Sequence, residues 1–365
     1  MDQWLIENLV CPRHKDALSF NNNYLSCPCG CQYPVVDGIP IMLLPDAQQT
    51  MGLANTSLEL SHESNTDDGL YLDSLGISAE EKRGVLDLVE KQDTAIDPVV
   101  SYMVGATNGI AYKSLVGKLS SYPIPDLRLP TANGSVFLDL GCNWGRWSIA
   151  AARKGYKAIG IDPSLGAVMA ARRVSRALGV DAVFIVGDAR FLPVKTASVD
   201  QVFSYSVLQH FSREDAGLTA AEVGRVLKDN GNSLIQMPTQ FGIRCLYHQA
   251  RRGFRDGRGF EVRYWSVPAL RHLFISTVGK TRFSVDCFFG IGLQYSDLRL
   301  MPGALKVAVI ASETLRGLSK VFPPLVYLAD SVYVSSRKNN SAASGMNSQS
   351  MKSPSGNAAR DEIKA

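Results

Sequence analysis

The chain has 365 residues, 45% of them hydrophobic and 20% charged, with a net charge of +4. That length buries a substantial core and suits more than one domain, and the composition is that of an ordinary water-facing protein. The charge is too small to argue alone for a nucleic-acid partner, and no apolar run reaches the ~18 residues of a membrane span.

The opening residues, MDQWLIENLV, carry acids and no basic lead. They do not read as a signal peptide, so a cytoplasmic location is expected. Four of the seven cysteines fall within the first 31 residues. That clustering suits a metal site in a reducing compartment better than a disulfide framework. Cys11-Pro-Arg-His14 is one knuckle and Cys27-Pro-Cys29-Gly-Cys31 a second, with ALSFNNNYLS between them as a hairpin around asparagines. Zinc takes four soft or borderline ligands in a tetrahedron, and two knuckles across a hairpin offer them. At most four of Cys11, His14, Cys27, Cys29 and Cys31 can serve, and the spacing leaves Cys29 and Cys31 open as the last ligand. So small a unit buries little apolar surface, so metal would contribute to its folding directly. The same block, with Tyr33-Pro34, then Asp37-Gly-Ile-Pro40 and an apolar tail, resembles the small zinc ribbon that activates tRNA and release-factor methyltransferases. Two positions depart from that pattern. His14 replaces a cysteine, and Cys27 to Cys29 is one residue shorter than CxxC. Residues 1–45 are therefore expected to form a zinc-ribbon-like domain, the alternative being a ribbon that has lost its metal.

Residues 46–134 read as a linker and a helical lid. The stretch 48–68 is polar and reads as a mobile linker. Ser78-Ala-Glu-Glu81 is a capping box that opens a helix reaching Gln92, with Val85, Leu86, Leu88 and Val89 as its apolar positions. Pro98 opens a second helix, broken between Gly105 and Gly109. Pro123, Pro125 and Pro130 then mark an extended approach to the next domain. Tyr102 and Tyr112 are candidate substrate contacts of such a lid, with core packing as the plainer alternative.

Residues 135–240 alternate strand and helix, which argues for a parallel sheet with right-handed crossovers. The stretch VFLDLGCNWGRW stops a buried strand at Asp139 and turns through Gly141 and Gly145, where the absent Cβ lets backbone and ligand approach. Asp162 ends the next strand and Asp188 the one after. Ligands of such sheets bind outside the carboxyl ends of the strands. In order, LDLGCNWGRW, GIDPS, VGDARFLPVKTASVDQVFSYSVLQHF and EVGRVLKDNGNSLIQMP resemble the motifs of class I S-adenosylmethionine-dependent methyltransferases.

The resemblance implies an α/β, doubly wound, Rossmann-like methyltransferase sheet. It implies a donor site in which the glycine loop passes the methionine part and Asp139 sits near the ammonium. Asp162 would accept from the ribose hydroxyls, and Asp188 with the backbone of Ala189 would read the adenine. Asn143 stands where the family has its middle glycine, and asparagine tolerates the left-handed backbone required there. A dinucleotide site also wants a glycine turn and a later acid, but its fingerprint is GxGxxG and this chain offers DxGxNxG. Asp200 reads as a structural residue at a strand start. His210, after the fourth strand, falls on the acceptor side of the cleft in this family. It is the candidate proton acceptor, with packing as the alternative.

Residues 241–334 form the C-terminal substrate or cap part. Arginines alternate with Phe, Tyr and Trp across 244–263, a pattern that suits RNA, an anionic acceptor, or a solvated face paired with Asp256 and Glu261. A helix opens after Ser266, a late strand follows at TRFSVDCFFG, and 304–334 adds an apolar helix and an extended piece. That apolar piece packs on the sheet or on a lipid-like acceptor. Cys245 and Cys287 sit in no catalytic motif. Residues 335–365 are rich in Ser, Asn and Lys and read as a disordered tail. The expected function is methyl transfer to a small, medium-sized or lipid-like acceptor. The alternatives are an RNA methyltransferase and a donor-binding partner protein without turnover of its own.

Overall fold

Two asparagines and an Asp-Gly pair shape the N-terminal part of the computed structural model, which describes residues 3–48, 52–62, 69–91 and 94–340. Helix α1 (Gln3–Asn8) precedes two hairpins. Strands β1 (Ser19–Asn21) and β2 (Tyr24–Ser26) join through Asn22 and Asn23, at φ 49° and 61°. Strands β3 (Gln32–Val36) and β4 (Ile39–Met42) join through Asp37 and Gly38, at φ 49° and 80°. Two residues of positive φ form the mirror-image turn whose twist matches the flanking strands. All four residues of β4 are buried, which one hairpin cannot achieve by itself.

The connecting part is more ordered than its composition suggests. Helix α2 (Leu53–His62) lies inside the stretch expected to be a linker, and residues 49–51 and 63–68 of that stretch fall outside the described residues. Its buried Ser57 explains the discrepancy. The hydroxyl donates to the carbonyl of Pro163 (2.8 Å) and accepts from the amide of Leu165 (3.0 Å), so a polar side chain serves as a core contact. Helix α3 (Ala79–Lys91) starts at the expected capping box, with Ser78 and Glu81 bonding each other reciprocally at 2.8 and 3.2 Å. Of its four apolar positions only Val85 is buried in full, whereas Leu86 and Val89 are each 43% exposed. Helix α4 (Pro98–Thr107) is capped by Asp97 and ends where Gly109 takes φ 98°. Tyr112 does not face a cleft. It is fully buried, and its hydroxyl donates to Asp297 at 2.5 Å, so the packing alternative holds there.

The central part alternates as expected through β5 (Val136–Leu140), α5 (Arg146–Arg153), β6 (Lys157–Asp162), α6 (Leu165–Ala177) and β7 (Ala182–Gly187). It continues through β8 (Val199–Ser204), α7 (Arg213–Val226) and β9 (Leu227–Pro238). Leu227 and Lys228 open β9 directly after α7. Asp200 has the structural role expected of it, accepting from the amide of Val136 and the ammonium of Lys228, both at 2.8 Å. Then come α8 (Ile243–Arg251), α9 (Val267–Thr277), β10 (Gly279–Cys287), α10 (Gly303–Leu318) and β11 (Ser331–Lys338). Residues 335–338, read as tail, are thus strand, paired with β9 on one side and β10 on the other. Their Ser-rich sequence is accommodated because Ser336 is buried and meets Thr281 through a hydroxyl pair at 2.9 Å. Residues 341–365 lie outside the described residues.

The sheet order is β1-β2-β3-β4-β7-β6-β5-β8-β9-β11-β10. Strands from β4 to β9 run parallel, and β11 is antiparallel to both its neighbours. The chain winds outward from β5 to β7 and then returns to β8 on the other side. The crevice at that reversal is where such sheets take ligands. The N-terminal ribbon does not stand apart. Ile41 and Met42 of β4 pair with Val186 and Gly187 of β7, and Leu9 bridges Val194.

Candidate functional site

The carboxyl ends of β5, β6 and β7 carry three buried acids in a row. Asp162 is fixed from two sides: one oxygen accepts from the amide of Asn143 (2.9 Å), the other from the amide of Ser164 (3.0 Å). The first bond ties the glycine loop to β6 and the second ties the start of α6 to it. Asn143 takes φ 47°, the left-handed backbone expected of it, and its side chain accepts from the amide of Trp144 (2.8 Å). Gly141 is at φ 73°, and a Cβ there would lie 2.2 Å from Val207. Gly145 is at φ 81°, with Ala171 and Phe184 each 3.0 Å from the place of its Cβ. Both positions exclude a side chain.

Asp139 is 1% exposed and accepts from the hydroxyl of Ser148 (2.7 Å). Burial pushes its carboxyl up to about 7, with Ser148 opposing the shift. Burial likewise lifts Asp162 to about 6, against the two amides that hold its charge. Raised values mean that the protonated acids favour the folded chain. That contribution is complete below the ordinary carboxylate range and is lost as pH climbs through about 6 to 7. Asp188 is held by Arg190, whose Nη2 donates at 2.7 Å, and Arg190 also pairs with Asp215 at 2.8 Å. Ala189 follows it, buried, inside the turn closed by Phe191 N–H to the carbonyl of Asp188 (3.0 Å).

Sequence reasoning missed two groups. Arg146 opens α5 directly after the loop and is 8% exposed. It makes no ion pair with any described residue, and its Nε is buried without a hydrogen-bond partner. The amide nitrogen of Asn108 is likewise buried and unpartnered. A glycine-loop motif with Arg after it gives no sign that this Arg lacks a carboxylate, so only the packing reveals it.

His210 stands across the crevice, and its environment differs from that expected of a proton acceptor. Nδ1 lies 2.7 Å from the carbonyl of Phe260, so it carries the proton and donates. Nε2 then accepts from the Gln209 amide at 3.1 Å. The ring stacks on Phe260, with centroids 3.8 Å apart. Burial pushes its pKa down to about 4. Neither nitrogen is free. Nearby, Tyr205 at the end of β8 bonds Asp286 (3.2 Å) and the carbonyl of Gly292 (3.3 Å). Part of the arginine stretch is internally satisfied, with Glu261 taking Arg255 at 2.6 and 2.8 Å and Arg263 donating to the carbonyl of His210 at 2.7 Å. Cys245 and Cys287 are buried with raised pKa values, as inert thiols are. A cavity of about 450 Å³ between the 126–128 segment and α10 holds Arg128 and Arg316, which share Glu313 at 2.7 Å each, with Asp286 3.6 Å from Arg128.

In the ribbon, ligand atoms of Cys11, His14, Cys29 and Cys31 all lie within 4.8 Å of one another. His14 Nδ1 is 3.8 Å from the Cys11 sulfur and 4.0 Å from that of Cys31. A zinc tetrahedron of nitrogen and sulfur has edges of about 3.6 Å, so the four converge as such a site requires. Cys27 falls outside this group and clusters with Asp16 and Cys29. All seven cysteines are free of disulfides. No helix among the described residues is long and apolar enough to cross a membrane.

A family profile described as a methyltransferase domain matches residues 137–231. Over 102 residues the chain is 29% identical to a ubiquinone biosynthesis O-methyltransferase of Azorhizobium caulinodans. That match takes in 28% of this chain and only 40% of the relative. Over 54 residues it is 43% identical to a UPF0434 protein of Paraburkholderia phymatum, covering 14% of this chain and 81% of that small protein. A solved S-adenosylmethionine-dependent methyltransferase of Methanosarcina mazei superposes with a TM-score of 0.42 at 19% identity, covering 60% of this chain and 99% of its own. The chain belongs to the class I S-adenosylmethionine-dependent methyltransferases and carries, ahead of the methyltransferase sheet, a zinc-ribbon domain of the UPF0434 kind.

Proposed function

We propose that this protein transfers a methyl group from S-adenosylmethionine to a small or medium-sized acceptor, at oxygen, nitrogen or carbon, in the cytoplasm. The observation that carries the reading is the buried Asp162 carboxylate. It spends two bonds holding the glycine loop and α6, and a carboxylate has about four acceptor positions, which leaves room for a diol. On this reading Asp162 takes the ribose hydroxyls. Asp188, oriented by its bonds to Arg190, reads the adenine with the backbone of Ala189. Asp139 and the backbone around Gly141, Asn143 and Gly145 face the amino-acid end. Arg146 and Asn108, each with a buried N–H lacking a partner, offer their donors to its α-carboxylate.

When bound, S-adenosylmethionine supplies a methyl carbon on a sulfonium, which an acceptor lone pair takes while the carbon–sulfur electrons return to sulfur. The chain's own part is to hold the two reactants in line and exclude water, which supplies much of the rate in such displacements. His210 on this reading is a positioning residue that fixes Phe260 and the arginine segment, since both its nitrogens are engaged. In the ribbon, Cys11, His14, Cys29 and Cys31 hold zinc and Cys27 does not. The seven free cysteines support a reducing compartment. RNA is the second acceptor class, favoured by the arginines and aromatics of 244–263.

Arg146→Gln should weaken binding of S-adenosylhomocysteine by about 1.5–3 kcal/mol, the range for a charge-assisted bond. Binding of 5′-methylthioadenosine, which lacks the amino-acid end, should be almost unchanged in the same titrations. Equal losses for both compounds would remove the carboxylate role. Metal analysis of the full chain should find one zinc, retained in Cys27→Ser and lost with folding stability in Cys31→Ser. Retention in Cys31→Ser would refute the ligand set. With donor carrying a labelled methyl group and a cell extract split into metabolite, lipid, protein and RNA fractions, label is expected in metabolites or lipid. Label in RNA would overturn the proposed acceptor class. Donor binding with no label anywhere would favour a non-catalytic partner protein.

A further inference from the structure

Two runs of the C-terminal part turn large apolar side chains outward. In α8, Cys245 and Gln249 face inward, while Ile243 is 64% exposed and Tyr247 57%. The loop beyond it adds Phe254, 68% exposed. In α10, Val309, Ser312 and Glu313 are buried, while Val307 is 69% exposed and Ile310 and Leu318 share its outer side. The turn that follows presents Val321, 86% exposed, and Phe322. The two runs are joined through residues 288–290: the amide of Phe288 donates to Ser312 of α10 at 3.0 Å, and that of Gly290 donates to Asp330 at 3.1 Å. Gly242 lies so close to Asp330 that a Cβ would fall 2.4 Å from its Cα, and the Asp330 carboxylate caps the amides of Arg244 and Cys245 at 2.8 and 3.0 Å.

The first of these runs is also cationic. Residues 241–263 hold six arginines against Asp256 and Glu261, a surplus equal to the net +4 of the whole chain. Of the six, Arg255 alone forms an ion pair among the described residues. Arg244, Arg251, Arg252 and Arg258 carry charges that no described carboxylate meets.

We propose that this face docks on an anionic lipid bilayer. Exposed Ile, Leu and Val beside unmatched arginines is the pattern of an element lying in a membrane interface, with apolar side chains in the acyl boundary and guanidinium groups among phosphates. RNA would reward the arginines and aromatics by pairing and stacking but gains nothing from Val307, Ile310, Leu318 and Val321. A second copy of the chain would bring the same uncompensated arginines against themselves. Docking does not depend on the methyl-transfer reading. Joined to it, docking sets the acceptor crevice against the bilayer, because the arginine segment stacks on His210 through Phe260, and the acceptor class becomes an amphiphile drawn from lipid.

The test is flotation of the full chain with vesicles of phosphatidylcholine alone and with about a third phosphatidylglycerol, at low and high salt. The chain should float with the anionic vesicles and be partly released by salt. Arg251→Glu with Arg258→Glu should lower the partition constant at least about 25-fold, from about fivefold per charge near an anionic surface. Val321→Ser with Phe322→Ser should lower it as well, although no charge changes. All four sites are exposed, and circular dichroism and solubility confirm that the variants fold. Four outcomes would overturn the proposal: no flotation with either vesicle at low salt; flotation unaffected by the Val321 and Phe322 changes; a dimer in sizing columns that those changes abolish; or displacement from anionic vesicles by polyuridylate at equal charge.

Discussion

One buried carboxylate organises the crevice. Asp162 ends β6 and accepts an amide from the glycine loop and another from the start of α6. It thereby joins the turn after β5 to the helix after β6, across neighbouring parallel strands. A loop of three positive φ values, at Gly141, Asn143 and Gly145, is not stable on its own account. Here the carbonyl of Ile161 takes the amides of Gly141 and Cys142 at 2.8 and 3.0 Å, and Asp162 takes that of Asn143. The cost is a charge in a dry place, visible in the upward shifts of Asp162 and Asp139. A cationic ligand end and hydroxyl donors would offset that cost, which is why the site favours a ligand bearing both.

The ribbon solves a problem at the sheet's edge. Strand β7 would otherwise present unpaired backbone to solvent, and an open edge invites association. β4 closes it with a short parallel pairing, and Val10 and Lys195 add backbone bonds to Pro193 and Asn8 at 3.0 and 3.1 Å. Lys15 reaches Glu222 on α7 at 2.8 Å. The N-terminal part is thus a structural wall next to Asp188, and Arg190 links the two by donating to the carbonyl of Gln48 at 2.8 Å.

Much of this was legible in the sequence because strand ends, glycine turns and caps are local features. The βα alternation, the left-handed Asn143 and the Ser78 capping box all follow from residues within a few positions of one another. What escaped depends on distant partners. Helix α2 looked like linker because Ser57 counts as polar until Pro163 and Leu165 are beside it. The strand at 335–338 looked like tail because its serines are matched only across β10. At His210 a proton acceptor and a packing residue both stayed open, because nothing nearby announced Phe260, fifty residues on, as its hydrogen-bond partner. Arg146 gave no signal, since an absent ion pair leaves no trace in a sequence.

The most direct measurement is a calorimetric titration of S-adenosylhomocysteine into the wild-type chain and Asp162→Asn, from about pH 5 to about pH 8. Bound hydroxyls and an ammonium favour ionised acids. Wild-type affinity should therefore rise as pH climbs through about 6 to 7, where Asp162 and Asp139 lose their protons. The variant should bind more weakly and lose the lower part of that rise. Equal affinity in both proteins, or wild-type binding that ignores pH across this window, would contradict the donor site proposed above.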